Sequence, residues 1–141
     1  MKNTLLILLA LISLEGFCCS CIGFGEINEE QYNSYDLIVK GQIEKIEEGA
    51  WTRTIYVRIE KEYKGNVKSE LVLITSPSQS GICGIFPKTG ETWLMYANKS
   101  ENTYSTDLCT RTKSLNPKAW NYNKEEIESD LVFLEKRLKQ K

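Results

Sequence analysis

Cysteine is the residue type whose placement could do chemistry in this chain. There are five: Cys18, Cys19 and Cys21 crowd into four positions, while Cys83 and Cys109 stand far downstream. Thiols arranged this way can pair as disulfides in an oxidising compartment. Histidine is absent. That removes Ser-His-Asp triads, Cys-His dyads and every His-containing metal site, leaving carboxylates, Lys, Tyr or Cys to carry any catalysis. The acid pairs Glu47-Glu48 and Glu125-Glu126 have no cysteine beside them and read as solvated faces rather than as a general acid–base site. No enzyme activity, no cofactor and no resident metal is expected.

The cysteine cluster follows an export signal. Lys2 gives a basic start, and the apolar run from Leu5 to Ile12 is too short to span a bilayer. No other run is long enough for a membrane helix, so no transmembrane segment is expected. A cut after Cys18 places small residues, Gly16 and Cys18, at the −3 and −1 positions. Residues 1–18 are then the signal and 19–141 the mature chain, read as a single domain of a secreted, extracellular or periplasmic protein. Cys19, Cys21, Cys83 and Cys109 remain, an even set suited to two disulfides. A cut after Gly16 is the rival and leaves one thiol unpaired. Lipid anchoring is disfavoured, because Phe17 and Cys18 are poor residues to precede a modified cysteine.

The elements that must position these cysteines are mostly strands. "NEEQYNSY" opens with Asn28 as N-cap and Glu29 and Glu30 in a first turn, and predicts a short helix. "YDLIVKGQIEKIE" alternates through Leu37, Val39 and Ile43, with a bulge expected at Gly41. "TRTIYVRIEKEYKG" alternates through Ile55, Val57 and Ile59, and "SELVLITS" is a third strand. "SPSQSGICGIFPKTGE" is a turn-rich loop carrying Cys83; "TWLMYAN" and "NTYSTDLC" are the fourth and fifth strands. The C-terminal segment predicts a helix capped by Asn123, with Glu126 three residues on and an apolar face of Ile127, Leu131, Leu134 and Leu138. The fold class is therefore mainly β with flanking helices. A five-stranded Greek-key OB barrel with the C-terminal helix packed on it is one solution, which the pattern alone does not separate from other small α+β folds.

Taken in order, the residues resemble a known family: the tissue inhibitors of metalloproteinases, within the netrin-like modules. The likeness begins at Cys19-Ser20-Cys21 and continues through "YDLIVKGQI" and "RIEKEYKG", which ends in Tyr63-Lys64-Gly65. It extends to "SQSGICG" around Cys83 and to "DLCTRTKSLNP" around Cys109. The resemblance implies the OB barrel and a pairing of Cys19 with Cys83 and of Cys21 with Cys109. Each bond would stabilise the fold by about 4 kcal/mol through loop entropy. The family's inhibitory domain has a third disulfide for which no cysteines remain here, and the loop around Glu47-Glu48-Gly49 is short.

The resemblance also implies a mechanism. A catalytic zinc has three protein ligands and one open position holding water. The amine nitrogen and carbonyl oxygen of Cys19, as the first mature residue, would chelate that zinc and displace the water. The zinc belongs to the protease. Ser20 would point into the protease's primary specificity pocket, Cys21 would fix the terminus, and Ser80, Gly81 and Ile82, within the segment from Ser78 to Ile82, would add contacts. The expected partner is a zinc metalloprotease, and the protein is expected to be a monomer. The alternative is a non-inhibitory extracellular netrin-like module, binding or structural, in which the same cysteines only staple the domain.

Other features fit less pointed roles. A net charge of −1 gives no field for nucleic acid or anionic lipid, so no nucleic-acid partner is expected. Trp93 lies in an apolar strand and reads as core. Trp51, by a Gly-Ala turn, is the best placed of Trp51, Trp93 and Trp120 for an exposed contact, with packing still its expected role. Asn98-Lys99-Ser100 matches an N-glycosylation acceptor.

Overall fold

Alternation of apolar residues builds the first strand, β1 (Leu37–Glu48), and its position in a closed ring of strands follows from pairing on both edges. The structure is a computed structural model and describes Cys21, residues 23–79 and residues 83–140. The other strands are β2 (Thr52–Lys64), β3 (Leu71–Pro77), β4 (Thr92–Ser100), β5 (Thr103–Ser105) and β6 (Lys113–Ser114). β1 runs antiparallel to β2, and β2 to β3. β3 meets β5 in parallel, β5 runs antiparallel to β4, and β4 returns antiparallel to β1. The ring thus closes in the order β1-β2-β3-β5-β4, and β6 adds a short antiparallel pairing to β4 at Trp93 and Leu94. The result is a six-stranded mixed sheet.

Period-two alternation sorts the strand residues between two cores. Leu37, Val39 and Ile43 of β1, Ile55 and Val57 of β2, Ile74 of β3, and Trp93, Met95 and Ala97 of β4 fill the inside of the ring. The intervening residues Ile38, Leu94 and Tyr96 face outward into a second core. β4 is thus apolar on both faces from Trp93 to Ala97 because both faces are covered. The bulge expected at Gly41 is present as a register shift between Lys40 and Gly41. A Cβ at Gly41 would fall 2.5 Å from the Arg58 carbonyl oxygen, so the bend needs glycine for close backbone approach.

Two helices cover the outward face. α1 (Glu29–Ser34) starts at Asn28, whose side chain accepts from the Gln31 N–H. α2 (Lys124–Leu138) starts at Asn123, whose side chain accepts from Glu126 N–H. Of the expected apolar face of α2, Leu134 and Ile127 are buried and Leu131 and Leu138 are half-buried. Leu131, Leu134 and Leu138 meet Tyr32, Tyr35, Ile38, Tyr63 and Tyr96 in the second core. Glu126 does not complete a reciprocal capping box; its carboxylate accepts from Lys113 Nζ instead.

Three sequence expectations change. The fifth strand is only Thr103–Ser105, not the whole of "NTYSTDLC". Asp107 turns the chain, its carboxylate accepting the Cys109 N–H at 2.8 Å and its carbonyl the Thr110 N–H at 3.3 Å. The sixth strand, β6, was not expected, because two residues carry no period. Trp93 is buried as expected, whereas Trp51 is 68% exposed, against the expected packing.

Tyr63 joins the ring to α2. It is buried, and its hydroxyl donates to Glu135 Oε1 at 3.2 Å, while Lys61 Nζ donates to the same carboxylate at 2.6 Å. Burial, then the hydrogen bond and charge of Glu135, push the Tyr63 phenol up to about 12. A free tyrosine titrates near 10. The folded state therefore favours the neutral phenol, so this contribution is complete below about pH 10 and is lost as pH rises toward 12. Ultraviolet titration of Tyr63→Phe should lack one late-ionising tyrosine, and its stability should fall less steeply over that window. Identical curves for the two proteins would contradict this environment.

Candidate functional site

The cysteine-bearing segments meet at one end of the ring. Cys21 is disulfide-bonded to Cys109, a bond spanning 88 residues with 5.2 Å between the Cα atoms. Cys83 is also disulfide-bonded. Its expected partner Cys19 lies outside the described residues, as do Ser20, Ser80, Gly81 and Ile82. Of the expected site residues the structure therefore places Cys21, Cys83 and Cys109. Cys83 and Cys109 sit on adjoining turns: the Leu108 N–H donates to the Cys83 carbonyl at 2.6 Å. Cys83 adopts a left-handed backbone, φ 54°. The next residue must be glycine, because a Cβ at Gly84 would fall 1.9 Å from the Pro77 carbonyl oxygen.

The segment that follows Cys21 is held a second time. Arg111, just past Cys109, is buried and reaches back to it. Its Nη1 and Nη2 both donate to the Gly25 carbonyl at 3.1 Å, and Nη1 also to Gln31 Oε1 at 3.1 Å. Gln31 Nε2 donates to the Phe24 carbonyl at 2.8 Å, and the Arg111 guanidinium lies 5.5 Å from the Phe24 ring centroid. So a strap, described at Cys21 and at residues 23–26, is fastened by a covalent bond at Cys21 and by a cation at Gly25.

That cation is neutralised by Asp130 on α2. Both side chains of the pair are fully buried. Arg111 Nη2 and Nε donate to the two Asp130 oxygens, and Tyr96 Oη donates to Asp130 Oδ2 at 2.9 Å. Lys113 Nζ stands 3.4 Å from the same oxygen. Burial works against the Arg111 charge, but the hydrogen bond and charge of Asp130 outweigh it and raise its pKa. Burial and the Asp130 charge push the Tyr96 phenol well above its ordinary range, so it stays a donor. The sequence carried one signal for this pair: Asp130 sits three residues after Ile127 and four before Leu134, within the apolar stripe.

A second arginine organises the other side of the edge. Arg53 is buried; its Nη1 donates to the Ile85 carbonyl at 3.0 Å and its Nη2 to the Ser78 carbonyl at 3.3 Å. It therefore grips both flanks of the Cys83 loop. The tip of the β1–β2 hairpin docks on the same loop, with the Ser78 N–H donating to the Trp51 carbonyl at 3.0 Å and Gln79 Nε2 to the Ala50 carbonyl at 3.0 Å. Phe86, under the Arg53 guanidinium at 4.2 Å, remains 44% exposed. Sequence reading did not single out Arg53 or Phe86.

Among the described residues, no group of three or more Cys, Asp or Glu is placed to hold a metal ion, and no helix is long and apolar enough to cross a membrane. A scan against protein-family models finds no match, and neither does a search of curated proteins.

Removing one member of a buried ion pair leaves an uncompensated charge, which costs about 3–5 kcal/mol. Asp130→Leu should lose stability of that order in urea unfolding, and Arg111→Met/Asp130→Leu should regain most of it. Equal losses in the single and double variants would show that the pair is not coupled.

Proposed function

We propose that the mature protein is a secreted, monomeric, netrin-like OB barrel that reversibly inhibits a zinc metalloprotease through the amine and carbonyl of Cys19. The observation that carries this reading is the Cys21–Cys109 bond, beside which Cys83 forms a disulfide on an adjoining turn. Chain termini usually fray, and a fraying terminus makes a poor chelator. Fastening the strap to the ring lowers the ordering cost of binding. The OB reading is supported by the ring order β1-β2-β3-β5-β4 and its parallel β3–β5 contact. Export is supported by the disulfides, which persist in oxidising compartments.

The chemistry asks little of the side chains. An α-amine has a pKa of roughly 7.7–8.0, so part of it is neutral near pH 7 and able to bind zinc. The amine and the carbonyl of the same residue close a five-membered chelate and displace the attacking water. Ser20 would enter the primary specificity pocket, and Ser80, Gly81 and Ile82 would lie against the protease. The protein itself performs no catalysis and holds no metal. The non-inhibitory binding module is the second reading; the exposed Trp51 and Phe86 on a held edge favour it, since such a surface needs no free amine.

The test is N-terminal sequencing and intact mass of the secreted protein, followed by assay against a panel of zinc metalloproteases. The expected protein begins at Cys19 with a free amine and inhibits at least one protease. Placing one alanine before Cys19 should then weaken inhibition by roughly 100-fold or more, about 2.7 kcal/mol, without changing the melting temperature. A blocked or lipidated Cys19, or inhibition indifferent to the added alanine, would replace this reading with the binding module.

A further inference from the structure

A polar cleft of about 340 Å³ opens where β3 and β5 part. These two strands pair only at Ile74 with Tyr104 and Thr75 with Ser105. The lining includes Thr52, Asn98, Ser100, Ser105 and Asp107. We infer that this cleft is a binding site for a short neutral saccharide.

Four observations carry the inference. First, the lining is built from hydroxyls, one side-chain amide, one carboxylate and the apolar ring of Pro77, with no lysine or arginine. A phosphate or sulfate ester would find no counter-charge there and would be repelled by Asp107.

Second, the floor is fixed. Thr75 Oγ1 donates to the Tyr104 carbonyl at 3.2 Å, and Thr106 Oγ1 donates to the Tyr96 carbonyl at 2.8 Å and contacts the Thr110 hydroxyl at 2.8 Å. Asp107 is held through its Oδ1, which accepts the Cys109 N–H beside the disulfide.

Third, the rim is open to a ligand. Among the described residues, the side chains of Thr52, Asn98, Ser100 and Ser105 and the Oδ2 of Asp107 have no hydrogen-bond partner. Asn98 and Ser105 are directly opposed across the β4–β5 ladder, and Ser100 follows Asn98 by two residues on the same face. They place an amide and two hydroxyls, both donors and acceptors, on one face of the cleft.

Fourth, part of the backbone around the cleft is already paired. The Thr106 N–H donates to the Thr75 carbonyl, and the Thr110 N–H to the Asp107 carbonyl. A polypeptide adding as a strand needs a continuous row of unpaired backbone groups, and these bonds interrupt it. Recognition here falls to side chains, which suits a polyol. The volume lies at the low end for small-ligand clefts, about 300–1,000 Å³, which fits a short saccharide rather than a long chain.

The cleft does not depend on Cys19, so its occupancy is independent of protease inhibition. The experiment uses the secreted protein in saturation-transfer NMR and calorimetry with a panel of neutral tetrasaccharides, including cellotetraose and chitotetraose, and with a heparin octasaccharide as the anionic comparison. At least one neutral saccharide is expected to bind saturably. Asn98→Ala and Ser105→Ala should each weaken it about tenfold or more with unchanged melting temperature, the scale of one lost hydrogen bond to a buried partner. Asp107→Asn retains an acceptor for the Cys109 N–H and should weaken binding while the fold persists. Three results would overturn the inference: no neutral saccharide binding at about 10 mM, the upper end of weak affinity; binding unaffected by Asn98→Ala and Ser105→Ala; or binding of the heparin octasaccharide alone.

Discussion

The buried pair of Arg111 and Asp130 is the constraint on which the rest of the structure depends. Four separate pieces of chain end on it: the strap at Gly25, α1 through Gln31, β4 through Tyr96, and α2 through Asp130 itself. The strap leads directly into α1, whereas β4 and α2 come from far along the chain. A buried ion pair is weak evidence for stability, since two apolar residues of similar volume often serve as well. Its particular value lies in direction. Leu or Met at these positions would tolerate several positions of the strap, whereas a guanidinium facing one carboxylate and one backbone carbonyl accepts few arrangements.

The disulfide and the ion pair divide one task. Cys21–Cys109 brings the start of the strap to the ring, and its chief thermodynamic effect falls on the unfolded chain. Arg111, two residues beyond Cys109, then sets the path the strap takes away from the bond. Arg53 does the corresponding work for the Cys83 loop from the opposite side of the edge. Described residues close in sequence to those expected to touch a protease, Gly25 after the first cysteines and Ser78 and Ile85 around the Cys83 loop, are thus each held by a buried arginine. That arrangement suits a preorganised binding edge, whatever its partner.

Much of this was legible in the sequence, and the illegible part has physical causes. The first four strands declare themselves because β1 to β3 alternate over much of their length and β4 is a continuous apolar run, and Gly41 marks a bend that only a residue without a Cβ permits. Both helices show their caps, Asn28 and Asn123. β5 was read too long, because Asp107 closes a turn using contacts that β propensity ignores. β6 is too short to carry a period. Arg111 stayed hidden because it reads locally as a surface charge; Asp130 left only its place in the apolar stripe as a signal, and the fold alone brings the two together with the strap. The polar cleft was hidden for the same reason, since its lining comes from β2, β3, β4, β5 and the turn that follows.

The central claim is that the strap behind Cys21 is rigid because Arg111 holds it, over and above the disulfide. The direct measurement is backbone amide relaxation by NMR at Phe24, Gly25, Glu26 and Ile27. It would compare the native protein with Arg111→Met/Asp130→Leu, in which the disulfide is intact, the Arg111–Asp130 pair is gone and Lys113 keeps its pairing to Glu126. Order parameters near 0.85 in the native protein, falling toward 0.6 or below in the variant while the strands stay unchanged, are expected. Values already below about 0.6 in the native protein, or no change in the variant, would contradict it.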